Sequence, residues 1–256
     1  MTEPLLEIRR LSRSFGGLKA VNDVSFTVEQ GTIKSVIGPN GAGKTTLFNL
    51  ISGMLSCDSG SVLQNGREIT GFLPHRIAEL GISRTFQTTK LFPRMTVEEN
   101  VMVGRHSRTK AGFLSGVLSL PWTWKEEREI RERSLELLNA IGLADASGQL
   151  ASNLPFGKQR LLEIARALAT DPSLLLLDEP AAGLNIYETR EMADLVLKIR
   201  GWGITVLLVE HDMSLVMDIS DQIVVLNYGS KVAEGEPAEI QRDPEVIRIY
   251  LGGDHA

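Results

Sequence analysis

Gly38-Pro39-Asn40-Gly41-Ala42-Gly43-Lys44-Thr45-Thr46 decides how the rest of this 256-residue chain is read. Two glycines separated by four residues are followed by Lys and Thr. The flanks agree: Ile33 to Ile37 predicts a strand running in, and Thr46 to Ile51 a helix running out. Glycines let backbone N–H groups turn toward phosphate oxygens, and the helix start adds the positive end of its dipole. Lys44 is placed to reach the β- and γ-phosphates of a nucleotide, and Thr45 to hold Mg²⁺. A Gly-rich turn without a ligand is the plain alternative, and the full match in this context argues against it.

Outward from this loop, the N-terminal flank alternates apolar and polar residues over Leu5 to Phe15 and again over Val24 to Val28, which predicts an antiparallel sheet beside the nucleotide site. Phe15 precedes the Gly16-Gly17 turn, where its ring either stacks on a base or packs. On the C-terminal flank, Asn65-Gly66 predicts a hairpin, Pro74 to Gly81 a short helix with Pro in its first turn, and Ile82 to Phe86 a strand delivering Gln87 to a loop. Between Thr88 and Ser152 no strand pattern appears. Thr96-Val97-Glu98-Glu99 predicts a capping box, and Trp124 to Ile141 an amphipathic helix with Ile130, Leu137, Leu138 and Ile141 on one stripe. Ala111 to Trp124 is apolar but broken; Trp122 and Trp124 are read as packing on their own subdomain rather than facing a membrane or partner.

Leu161 to Leu168 predicts a helix entered through the loop Leu154 to Gln159, and Leu174 to Leu177 a strand buried on both faces, ending in Asp178-Glu179. Acids at the carboxyl end of such a strand lie where open α/β sheets bind ligands. A helix over Ile186 to Arg200, a strand over Ile204 to Val209 ending in Glu210-His211-Asp212, a short helix over Met213 to Ile219, and strands over Gln222 to Leu226 and Ser230 to Glu234 continue the alternation. Asp243-Pro244 predicts the capped start of a final helix.

Composition removes several function classes. With 43% hydrophobic and 23% charged residues and no apolar run near the roughly 20 residues needed to cross a bilayer, an integral membrane protein is not expected. One cysteine, Cys57, excludes an intrachain disulfide, and the start lacks a secretory pattern, so the cytosol is the expected compartment. A net charge of −5 argues against nucleic acid as a partner. No Cys/His spacing suggests zinc, and His75, His106 and His255 have no comparable neighbours in sequence.

Transfer of a phosphoryl group to water needs a phosphate cradle, a metal, and a group that orients the attacking water. Asp178 is the candidate to hold Mg²⁺ opposite Thr45, and Glu179 the candidate general base. Gln87 and His211 each end a predicted strand and become candidates for ordering water, Mg²⁺ and the γ-phosphate.

With these residues in order along nearly its whole length, the chain resembles the ATP-binding cassette ATPases. The resemblance implies a fold: an α/β P-loop NTPase core with a mostly parallel central sheet, an antiparallel β subdomain and an inserted α-helical subdomain. On this reading, residues 1–87 and 153–235 form the core, 88–152 the helical subdomain and 236–256 a helical tail. It also implies that Phe15 stacks on adenine, that Gly38 to Thr46 cradle the phosphates, and that Gln87, Asp178, Glu179 and His211 serve hydrolysis. Leu154 to Gln159 corresponds to the signature motif, with Gly157 its phosphate-facing glycine, and Gly183-Leu184-Asn185 to the loop after the acidic pair. ATP and Mg²⁺ are the implied cofactors, in a head-to-tail dimer where ATP lies between one subunit's phosphate loop and the other's signature.

Gly81 to Gln87, Leu91 to Val101, the 111–133 insertion and Pro244 to Gly252 look most like one of the two ATPase subunits of branched-chain amino acid importers. That implies permease subunits, a second and different ATPase with a homodimer as the alternative, an indirect link to a substrate-binding protein, and a peripheral place on the cytoplasmic face of the membrane. The signature departs from the family's Leu-Ser-Gly-Gly-Gln: Pro155 offers neither hydroxyl nor N–H, and Lys158 adds a charge. Asn185 stands where Asp is usual. The site completed by this signature is therefore expected to be the weaker one. Competing readings are a cassette ATPase for export, lipid or another solute, a soluble cassette protein on ribosomes or DNA, and a nucleotide-binding regulatory subunit.

Overall fold

The computed structural model describes residues 3–85, 91–106 and 121–251, which fall into two compact units, Met1–Arg84 with Ser173–Ala256, and Thr85–Pro172. Gln87 and the 111–120 stretch lie outside the described residues, as do the side chains of Trp122 and Trp124.

The first unit opens with β1 (Leu6–Phe15), β2 (Leu18–Val28), β3 (Ile33–Ile37), α1 (Lys44–Ile51), β4 (Ser59–Gln64), β5 (Arg67–Glu68), α2 (Pro74–Glu79) and β6 (Ile82–Arg84). The second unit supplies α3 (Val97–His106), α4 (Pro121–Ala140) and α5 (Phe156–Leu168), with short 3₁₀ turns at Ala144–Ala146 and Ala151–Asn153. The chain then returns to the first unit with β7 (Leu174–Asp178), α6 (Ile186–Gly201), β8 (Thr205–Val209), α7 (Met213–Ile219), β9 (Gln222–Asn227), β10 (Ser230–Gly235), α8 (Pro237–Ile240) and α9 (Pro244–Leu251).

Two sheets form the first unit. One is antiparallel, in the order β2-β1-β4-β5; Asn65 and Gly66 both take positive φ (48° and 72°), as a two-residue hairpin turn requires. The other runs β10-β9-β3-β8-β7-β6, parallel except for the β10–β9 hairpin. Every residue of β3, β7 and β8 is buried, which explains why Leu174–Leu177 of β7 and Val206–Val209 of β8 read as continuous apolar runs rather than alternating ones. Within β3 the buried cation Lys34 donates from Nζ to Glu234 Oε1 and to the Thr27 carbonyl, both at 2.5 Å. Burial alone would push the Glu234 carboxyl up, but hydrogen bonds from Lys231 and Lys34 hold it below the usual carboxylate range.

The helical unit packs as its periodicity predicts: Ile130, Leu137 and Leu138 of α4 are buried with Val97 and Val101 of α3 and Leu162 and Ala165 of α5. Each buried Leu or Ile contributes about 2 kcal/mol. The predicted capping box is present: the Glu99 N–H donates to Thr96 Oγ1 (3.1 Å), and the Thr96 N–H to Glu99 Oε2 (2.7 Å). Several elements differ from expectation: β2 begins at Leu18 rather than Val24, β6 ends at Arg84 rather than Phe86, and α4 begins at Pro121 rather than Trp124. α5 begins at Phe156, not Leu161, because Pro155 with φ −54° sits as the residue capping the helix and Gly157 enters its first turn. The four-residue α8, introduced by Pro237 and a Glu236/Glu239 capping box, follows a stretch that shows no apolar periodicity.

Candidate active site

Because β9, β3, β8, β7 and β6 are parallel, their carboxyl ends emerge at one edge. Register tightens this: Val36 of β3 and Asp178 of β7 both pair with Val209 of β8, so the phosphate loop, the acidic pair and the Glu210-His211 turn begin from one row of the sheet. Helix α1 then starts at Lys44, with the loop Gly38 to Gly43 wrapped between strand and helix.

Backbone geometry shows why the loop needs its glycines. Gly38 and Gly43 take φ of 150° and 102°, and a Cβ at either would collide with the carbonyl oxygen of Leu226 or of Ala20. Asn40, Gly41 and Thr45 are exposed, Pro39 and Thr46 half-buried, and Ala42 buried. Lys44 folds back on the loop, its Nζ donating to the carbonyls of Gly38 (2.5 Å) and Pro39 (3.1 Å). Burial pushes its pKa below the ordinary lysine value, opposed by the charges of Glu179 and Asp178. Those carboxylates therefore lie close enough to Lys44 to act on it.

Asp178 is 2% exposed. Its Oδ2 accepts from Arg84 Nη2 at 2.8 Å, and the other arm of the same guanidinium reaches Asn49 Oδ1 and Ser52 Oγ, both at 2.8 Å. Arg84 also lies over the Phe48 ring. One side chain thus binds the acidic strand end to helix α1. Glu179 takes φ +49°, a conformation that bulky residues adopt at a cost, and its N–H donates to the Val209 carbonyl (2.9 Å). The exposed His211 ring has Nδ1 at 4.0 Å from Glu179 Oε2. Lys44, Asp178, Glu179 and His211 are thereby brought together.

Phe15 ends β1 and is 45% exposed, with the Arg13 guanidinium 5.2 Å from its ring. The hairpin that carries it meets the phosphate loop where Ala20 lies against Gly43. Gly157 is buried in the first turn of α5 in the other unit. Asn185 caps α6: its Oδ1 accepts from the N–H groups of Tyr187 (2.9 Å) and Glu188 (3.1 Å).

The donor set suits Mg²⁺. A Thr45 hydroxyl and an Asp178 carboxylate are hard oxygen ligands, and among the described residues no group of three His, Cys, Asp or Glu side chains forms a metal cage. Magnesium bound through one or two protein oxygens plus substrate phosphates has this character.

Three residues escaped the sequence reading. Arg84 lies in a strand pattern, where a lone Arg marks nothing by itself. Glu210 is fully buried beside His211. Tyr250 of α9 receives a hydrogen bond from the Gly38 backbone, across more than two hundred residues of chain. No local pattern carries any of these contacts.

A phosphate loop after β3, an acidic pair after β7 and a histidine after β8 define a nucleoside-triphosphate-hydrolysing cassette. Residues 21–182 match the family model described as ABC transporter, and residues 230–256 one described as branched-chain amino acid ATP-binding cassette transporter. The chain belongs to the ABC transporter ATP-binding family and is an ATPase. It is 47% identical over 98% of its length, and 99% of the relative's, to the high-affinity branched-chain amino acid transport ATP-binding protein LivG of Salmonella typhimurium. BraF of Pseudomonas aeruginosa, of the same description, is 46% identical over 98% of this chain and 99% of its own. Among solved structures, an ATP-binding cassette of an ABC transporter in its ADP conformation superposes with a TM-score of 0.85 at 34% identity, covering 97% of this chain and 99% of that one. These matches agree with the expected α/β P-loop NTPase fold.

Proposed function

We propose that this chain powers a branched-chain amino acid importer by hydrolysing ATP at the cytoplasmic face of the membrane, docked on permease subunits and paired with a second cassette ATPase. A separate substrate-binding protein captures the solute. Support comes from the C-terminal match over residues 230–256 and from the relatives named for that transport. Among the described residues no helix is long and apolar enough to cross a membrane, which fits a subunit that acts through permease partners.

One observation carries the chemistry: Glu179, Asp178, Lys44 and His211 converge on one sheet edge around the phosphate loop. Phe15 stacks on adenine, and the loop from Gly38 to Thr46 presents N–H groups to the phosphates. Lys44 exchanges its two carbonyl partners for β- and γ-phosphate oxygens. Thr45, Asp178 and Gln87 would hold Mg²⁺, which supplies charge neutralisation on those oxygens. Glu179 takes a proton from water as the water oxygen bonds to the γ-phosphorus and the bond to the bridging oxygen breaks, releasing ADP and phosphate. His211 faces the same carboxylate and orders it. Gly157, at the N-terminus of the 13-residue α5, faces the γ-phosphate on the partner's loop.

Glu179→Gln tests this in the complex reconstituted into lipid vesicles. Turnover should fall at least 100-fold and uptake of labelled leucine should stop, with ATP binding retained. Full turnover in that variant would remove Glu179 from the mechanism, and hydrolysis without leucine, isoleucine or valine uptake by the unmodified complex would reject the solute class.

A further inference from the structure

Glu210 has no exposed surface, and among the described residues no Lys or Arg forms an ion pair with it. A buried carboxylate survives only where hydrogen bonds replace its water. Here backbone N–H groups do so, and they come from two different strand exits. Oε1 accepts from Ala181 N (2.8 Å), two residues beyond Glu179 in the turn after β7. Oε2 accepts from His211 N (2.9 Å) and more distantly from Asp212 N (3.4 Å), in the turn after β8. One carboxylate therefore clips the turn that carries Glu179 to the turn that carries His211.

The same Oε2 faces the imidazole. His211 Nδ1 is 3.7 Å from Glu210 Oε2 and 4.0 Å from Glu179 Oε2, both beyond hydrogen-bond length, so the attraction is electrostatic. With two carboxylate oxygens on that side, a neutral ring is favoured with its proton on Nδ1, and Nε2 is left as the acceptor on the opposite side of the ring. Glutamine at 210 has the same shape but only one acceptor oxygen. Its NH₂ would confront either the Ala181 N–H or the His211 N–H, and without the carboxylate's charge Nδ1–H is no longer favoured.

We propose that Glu210 is the positioning residue of the hydrolytic centre: it fixes the distance between the Glu179 and His211 turns and sets the tautomer of His211. This rests on the reading in which Glu179 and His211 serve hydrolysis. It assigns Glu210 no contact with nucleotide.

The test uses the full-length chain assembled with its partner subunits for turnover, and the ¹⁵N-histidine-labelled chain for the ring. In the wild type, the His211 resonances, assigned by their loss in His211→Gln, should report a proton on Nδ1. A neutral ring protonated on Nε2 overturns the proposal without any variant at 210. Glu210→Gln should lower kcat at least 10-fold, change affinity for a fluorescent ATP analogue less than twofold, and shift the population of His211 toward Nε2–H. Glu210→Asp, which keeps the charge but shortens the reach by one methylene, should retain Nδ1–H while losing turnover. If Glu179→Gln and His211→Gln abolish hydrolysis but Glu210→Gln leaves both kcat and the His211 signals unchanged, Glu210 has no positioning role and the mechanism stands. If the two former variants hydrolyse normally, the mechanism itself fails. A Glu210→Gln chain too unstable to assay leaves the wild-type tautomer measurement to decide.

Discussion

Arg84 shows how much a single residue can organise. Its guanidinium reaches Asp178, Asn49 and Ser52 at once, so the strand end that would hold the metal and the helix that follows the phosphate loop share one anchor. Only arginine's planar fork presents donors in these directions; lysine supplies a point charge. The pair with Asp178 is buried on both sides, at 7% and 2% side-chain exposure. Removing the cation from such a pair costs about 3–5 kcal/mol because the carboxylate stays behind in low dielectric. Arg84→Met should therefore destabilise the protein by about that amount in chemical denaturation, and Asp178→Asn in the same background should recover part of the loss. Simple additivity of the two substitutions would show that the pair is not coupled.

At the scale of elements, the C-terminal helix α9 is docked rather than trailing. Val246 is buried, Asp243 Oδ1 caps the helix by accepting from the N–H groups of Glu245 (2.8 Å) and Val246 (3.1 Å), and Tyr250 reaches the Gly38 backbone. Burial raises the Tyr250 hydroxyl to about 12 from its ordinary 10.0, with the Gly38 hydrogen bond opposing in part. The folded state therefore keeps this proton over a pH range in which the unfolded chain releases it. Its contribution to stability is complete below pH 10 and is lost as pH rises through about 12. Melting temperature should fall more steeply over that window in the wild type than in Tyr250→Phe. Equal slopes would show that the tail does not shelter the hydroxyl. Asn185 illustrates the same scale from the other side: where an aspartate is usual in the family, its amide oxygen is spent on capping α6.

For the whole molecule, the decisive feature is that the phosphate loop and the segment proposed to face a partner's nucleotide sit in different units. The phosphate loop belongs to Met1–Arg84 with Ser173–Ala256, and the Pro155–Gly157 segment to Thr85–Pro172. Pro155 caps α5 without a side-chain hydrogen bond, so the N-terminus of that helix lacks the hydroxyl that serine would supply, whose oxygen accepts from free helix N–H groups and whose proton is available to a phosphate. We expect the site it completes on a partner's phosphate loop to be the weaker of two. Pro155→Ser in the assembled heterodimer should raise turnover several-fold at subsaturating ATP, and unchanged turnover would reject the asymmetry.

Much of this architecture was legible before any coordinates. The phosphate loop, the four-leucine strand with its acidic pair, the Asn65-Gly66 hairpin and the Thr96–Glu99 capping box are all set by short-range rules. Glycine's access to positive φ, continuous burial in a parallel strand and reciprocal capping need only neighbouring residues. The start of α5 was misplaced by five residues because Pro-Phe-Gly reads as a loop until packing extends the helix through it. Which residue types stand at each strand end is written in the order of the chain. Which ends meet was decided by packing: Arg84 with Asp178, Glu210 with Ala181, and Tyr250 with Gly38. Those contacts join segments from different strands and helices, and burial makes each one matter, since a charge or hydroxyl removed from water is stable only beside the partner the fold brings to it.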